Sequence, residues 1–181
     1  SPGSLEHGLC RGNWNQREIR RHIVETIAIF IDIHYIYGHK PIIPTTMAYK
    51  IIDVEGIGPA YAEKLIAAGI STAEELLEKC AAPKGRKELA EATGIPEKLV
   101  LKWTNHADMY RIRGIGPQFA ELLEASGVDT VKELSHRVAA NLAAKVAEVN
   151  AEKKLVGRVP VEAEIQKMID EAKTLPGVIT Y

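Results

Sequence analysis

From Met47 onward, apolar residues recur at helical spacing and are punctuated by glycine and proline. Ala62, Leu65 and Ile66 follow Pro59, and Ala120 and Leu123 follow Pro117. In both places the proline sits where a first helical residue belongs, its φ preset and no needed N–H lost. Gly69 and Gly127 stop these helices, and new ones are predicted to start at Ser71-Thr72-Ala73-Glu74, a capping-box pattern, and at Asp129-Thr130. Residues 87–92 read as helix, broken at Thr93-Gly94-Ile95-Pro96. Helix resumes over 97–108 with Leu99, Val100 and Trp103 on one face, and two more are predicted over 139–152 and 161–173. No convincing strand pattern follows Met47, so the expected class there is all-α.

The two halves repeat one another. With an offset of 58, the stretch from Gly56 to Leu76 superposes on that from Gly114 to Leu134, with twelve of twenty-one positions identical. Gly-Ile-Gly-Pro opens both copies, and Tyr61 stands opposite Phe119. Repetition of this extent predicts two structurally similar halves. The expected boundaries are 47–108 and 109–175, with a tail at 176–181.

Upstream of Met47 the pattern changes. Ile27, Ile29, Ile31 and Ile33 alternate as in a strand. Residues 1–46 hold one alanine and nine isoleucines, whereas twenty-one alanines follow from Met47 to the end. This shift marks residues 1–46 as an N-terminal extension, read first as tag, linker or translated non-coding sequence. The alternative is a strand or arm that pairs with a partner. Glu25 and Asp32 interrupt it too early for a membrane span.

Composition narrows the function classes. With 23 Lys and Arg against 24 Asp and Glu in 181 residues, the chain is neither a basic nucleic-acid tail nor an acidic one. Cys10 and Cys80 are too few for a disulfide framework and sit in no metal-ligand spacing, which points to a reducing, cytoplasmic setting without metal or cofactor.

Gly56-Ile57-Gly58-Pro59-Ala60-Tyr61-Ala62-Glu63-Lys64-Leu65 and Gly114-Ile115-Gly116-Pro117-Gln118-Phe119-Ala120-Glu121-Leu122-Leu123 resemble the helix-hairpin-helix motif. The duplicated arrangement is similar to a prokaryotic domain family of unknown function within that superfamily, over most of the chain after Met47. The resemblance implies two tandem helix-hairpin-helix (SAM-like) domains and sequence-independent contact with DNA or RNA backbone. The physical basis is that a glycine turn at a helix head leaves N–H groups unpaired at the positive end of the dipole. The candidate contacts are Gly56, Ile57, Gly58, Gly114, Ile115 and Gly116, with Lys64, Arg111 and Arg113 as helpers. In some relatives the hairpin carbonyls also hold a monovalent cation.

Charge argues the other way. From Met47 onward there are 18 Lys and Arg against 20 Asp and Glu, a net of −2, whereas backbone binding draws its affinity from cations that displace counterions. Glu63 and Glu121 stand where many DNA-binding relatives carry bases. Lys84-Gly85-Arg86-Lys87 and Lys153, Lys154 and Arg158 could complete a basic patch or merely solvate helix faces. The competing expectation is therefore a protein-interaction or scaffold module. Catalysis is not expected: some relatives are glycosylases, but Asp129 and Lys132 are the only downstream candidates, and Asp129 reads as a helix cap. Trp103 is expected in the core, His106 and His136 at the surface or on helix ends, and Cys80 as a half-buried filler.

Overall fold

The computed structural model describes residues 49–181, so the readings made for residues 1–46 lie outside the described residues. A 3-10 turn, Ile51–Asp53, precedes eight helices. In chain order these are α1 (Pro59–Ala67), α2 (Ala73–Cys80), α3 (Pro83–Thr93), α4 (Glu97–Met109), α5 (Pro117–Ala125), α6 (Val131–Ser135), α7 (Ala139–Lys153) and α8 (Glu162–Thr174). Among the described residues there is no strand, only an isolated bridge between Lys50 and Thr72. The all-α expectation holds for this part of the chain.

Each helix has a local cause. Pro59 and Pro117 open α1 and α5 at the first helical position. Both helices end on a left-handed glycine, Gly69 (φ 84°) and Gly127 (φ 87°). The N–H of Ile70 then donates to Leu65 O, and that of Val128 to Leu123 O, each at 2.9 Å. This closing pattern satisfies the last carbonyls and needs a residue without Cβ strain. The next helix starts one residue later than the sequence pattern suggested. Thr72, not Ser71, is the cap of α2, and its hydroxyl accepts from Glu75 N–H at 3.2 Å while the Glu75 carboxylate accepts from Thr72 N–H. Ser71 loses the competition because its own N–H and hydroxyl both donate to that same carboxylate. Likewise Thr130, not Asp129, caps α6 through Glu133 N–H.

The described residues form one compact unit. α2 packs on α3 and α4, α3 on α4, and α8 receives both α6 and α7. α5 bridges the two groups, touching α4 on one side and α7 on the other. The core beneath is continuous: Trp103 is 1% exposed and lies with Leu65, Ile70, Leu76, Leu122, Leu134 and Ile165 among the largest fully buried side chains. Tyr61 meets Trp103 with ring centroids 5.2 Å apart, so both aromatics serve packing.

The end of α4 departs from the sequence reading. Thr104, Asn105, His106 and Asp108 are all buried. His106, expected at the surface or on a helix end, is buried, and its Nε2 donates to Glu124 Oε2 at 2.8 Å, pinning α4 to α5. Cys80 is fully rather than half buried, and burial pushes its thiol up to about 11. His136 is exposed, with Nδ1 2.7 Å from Lys132 O at the end of α6.

Candidate nucleic-acid interface

The two glycine turns carry the predicted contacts, and their backbones match closely. Gly56 (φ 86°) and Gly114 (φ 88°) both occupy the left-handed region, where a side chain would be strained. Gly58 and Gly116 are extended and directly precede the prolines that open α1 and α5. The middle residue of each turn is not available to a ligand. Ile57 and Ile115 are buried, and their N–H groups donate to Val54 O at 3.0 Å and Ile112 O at 3.2 Å. What remains unpaired among the described residues is the N–H of Gly56, Gly58 and Ala60 in the first copy, and of Gly114, Gly116 and Gln118 in the second. Ala60 and Gln118 were missed in the sequence. The rule that the first turn of a helix has orphan donors, with proline supplying none, points to them.

The surroundings of the two turns differ. A Cβ on Gly56 would lie 3.3 Å from Trp103 Nε1, but around Gly58 nothing approaches within 4 Å of where a Cβ would stand, and Gly56, Gly58, Pro59 and Ala60 are exposed. At the second turn a Cβ on Gly116 would lie 3.3 Å from Tyr49 Oη, and one on Gly114 3.1 Å from Met168 Cε. The second turn thus lines a cleft of about 390 Å³ together with Tyr49, Tyr110, Ile112 and Arg113. Tyr49 and Tyr110 stack there in a tilted pair, centroids 4.8 Å apart. Burial pushes the Tyr110 phenol above its ordinary value. A wider groove of about 780 Å³ adjoins it, lined by Arg113, Lys167 and Met168 with Glu164, Asp170 and Glu171.

The basic helpers separate just as clearly. Lys64 is exposed on α1 and Lys50 lies exposed just before the 3-10 turn, neither held in an ion pair among the described residues. Their neighbours in sequence include Asp53, Glu55 and Glu63, so the local charge is mixed. Arg113 is exposed but its Nε meets Glu171 Oε1 at 3.3 Å. Arg111 is buried, with Nη1 donating to Asp108 Oδ1 at 2.7 Å and Nη2 to Pro176 O at 3.0 Å, so it is absent from the surface. An arginine three residues after an aspartate, just past the end of a helix, was the available signal. Arg86, placed by the sequence in a basic cluster, is 3% exposed and spends its guanidinium on the carbonyls of Cys80, Ala81 and Thr180.

Among the described residues no group of three or more His, Cys, Asp or Glu is placed to hold a metal ion. No helix among them is long and apolar enough to cross a membrane. Comparison with curated proteins and with solved structures yields no match. A family model described as a domain of unknown function, DUF4332, matches residues 55–175, which include both glycine turns and all eight helices. The chain therefore belongs to the DUF4332 family.

Proposed function

We propose that residues 47–175 are a pair of helix-hairpin-helix units forming a non-catalytic module that contacts DNA or RNA backbone weakly and without regard to sequence. The contact is made chiefly by the first turn. The observation that carries this reading is the exposed head of α1, where the N–H groups of Gly56, Gly58 and Ala60 lack partners among the described residues. A phosphate oxygen there would meet backbone donors at the positive end of a nine-residue helix, with Lys64 one turn along. Such donors position a protein on a polynucleotide and read no bases. The mixed charge around the turn keeps the affinity low, because few counterions are displaced.

The test is a titration of fluorescently labelled duplex and single-stranded DNA and RNA at low salt. The wild type is expected to bind in a salt-sensitive way, and Lys64→Glu to lower the slope of log K against log salt by about 1. Binding that is absent at low salt, or untouched by the reversal, removes this reading.

A protein-interaction module is the second reading, and one observation favours it. Ile52 and Ile66 are 46% and 54% exposed and flank the open turn in the sequence, six residues before Gly58 and eight after. Large apolar side chains left in water beside charged ones suit a protein partner better than a phosphate backbone.

A further inference from the structure

The second glycine turn lines a cleft of about 390 Å³, low in the range of about 300–1,000 Å³ that small-molecule sites occupy. Its walls are chiefly apolar, made by the rings of Tyr49 and Tyr110 with Ile112 and Ile115. Three kinds of polar group on the residues that line it lack partners among the described residues. The N–H groups of Gly114 and Gly116 stand unpaired at the positive end of the nine-residue α5. Arg113 spends only its Nε on Glu171, which leaves both Nη groups to donate. The Tyr110 hydroxyl, in a residue 3% exposed, makes no hydrogen bond, and the N–H of Glu55 lies near it without bonding.

A buried hydroxyl without a partner costs free energy that an incoming polar group recovers. Burial first, then the charges of Glu55 and Asp53, oppose ionisation of Tyr110, so this hydroxyl stays neutral and can donate or accept. The first copy carries none of this chemistry at the equivalent positions. Ile52 stands where the second copy has Tyr110, and Glu55 where it has Arg113. The cation and the hydroxyl thus belong to the second copy alone and not to the repeated turn.

The donors call for an anion and the walls for a flat apolar body. Glu171 beside Arg113, with Asp53 and Glu55 near Tyr110, weighs against a second negative charge, which favours a carboxylate over inorganic phosphate. Tyr49 Oη and Met168 Cε lie 3.3 Å and 3.1 Å from where side chains on Gly116 and Gly114 would begin. Such crowding suits a small molecule better than a polynucleotide strand.

We propose that this cleft binds a small hydroxylated aromatic monocarboxylate. Its carboxylate accepts from Gly114 N–H, Gly116 N–H and Arg113, its ring lies against Tyr49 and Ile112, and its hydroxyl pairs with that of Tyr110. The polynucleotide reading, carried by the first turn, is not needed for it.

The test titrates the isotope-labelled full chain with 3-hydroxybenzoate and 4-hydroxybenzoate to about 10 mM, a range suited to ligands of about ten heavy atoms, followed by heteronuclear NMR. Saturable shifts are expected at the Gly114 and Gly116 amides with at least one isomer. The matching hydroxybenzyl alcohol, which lacks the charge, should bind at least about tenfold more weakly, as should the acid to Arg113→Gln. Tyr110→Phe removes only an unpartnered oxygen and so keeps the fold. It should bring the affinity for the hydroxybenzoate down to that for benzoate. The proposal is overturned if neither isomer gives a saturable shift at Gly114 and Gly116, or if inorganic phosphate gives an equal response. Binding by Tyr110→Phe that matches the wild type overturns it as well.

Discussion

α1 and α5 begin with the same Gly-Ile-Gly-Pro, end on the same left-handed glycine, and live in different surroundings. α5 lies between α4 and α7 and buries Phe119, Ala120, Leu122 and Leu123. α1 leans on the 3-10 turn, buries only Ala62 and Leu65, and leaves Lys64 and Ile66 in water. The two helices differ most where this matters: Lys64 stands opposite Leu122, and Ile66 opposite Glu124. One backbone thus sits in two environments. The second copy is a structural bridge, with Glu124 holding His106 and Lys102 of α4. The first keeps its helix head bare, and a bare head is what a ligand needs.

The comparison breaks most visibly if the two helices exchange residues. Leu122→Lys puts an unpaired ammonium at a position with no solvent exposure and is expected to cost about 3 kcal/mol or more. Lys64→Leu should stay within about 0.5 kcal/mol of the wild type, as surface changes usually do. Urea melts of both variants check this, and similar losses in the two would mean that α1 is as covered as α5.

The caps should show no such asymmetry. Thr72→Ala and Thr130→Ala each remove a hydroxyl that accepts from the N–H three residues on, at 3.2 Å in both copies. Each is expected to cost about 1 kcal/mol. Unequal losses in thermal melts would show that the copies differ in more than what covers them.

A smaller effect is expected from acid. Burial opposes ionisation of Glu124, but the hydrogen bond and charge of His106, with Lys102 beside it, outweigh that and hold its carboxyl below the ordinary 4.5. A lowered value means that the folded state favours the ionised form, so this stabilisation is present above the ordinary value and is lost as pH falls through the folded one. Between about pH 7 and about pH 3 the denaturation midpoint of the wild type should therefore fall further than that of Glu124→Gln. Ile66→Glu, which copies the second helix into the first, should leave the wild-type profile unchanged because position 66 faces water.

Much of the helical framework was legible because its causes are local. Glycines and prolines act within a turn of themselves, and Trp103 announced its core role through neighbours at helical spacing, whereas the caps were read one residue early, at Ser71 and Asp129. The fates of the arginines were not legible in this way. Arg86 meets Thr180 and Arg111 meets Pro176, 94 and 65 residues away, and no local pattern encodes such partners. Nor did the repeat reveal that its copies are clothed differently, since α7 covers α5 through residues outside the repeated stretch. Burial of His106 follows from Glu124, which the alignment of copies presents only as a mismatch with Ile66.

The most direct test of this asymmetry is a titration of the isotope-labelled chain with short duplex DNA and single-stranded RNA at low salt, read at the glycine amides by heteronuclear NMR. The account predicts saturable shifts at Gly56 and Gly58 that vanish as salt is raised, with Gly114 and Gly116 left nearly in place. Shifts centred on the second pair, or no shift at the first pair with either polynucleotide, would contradict it.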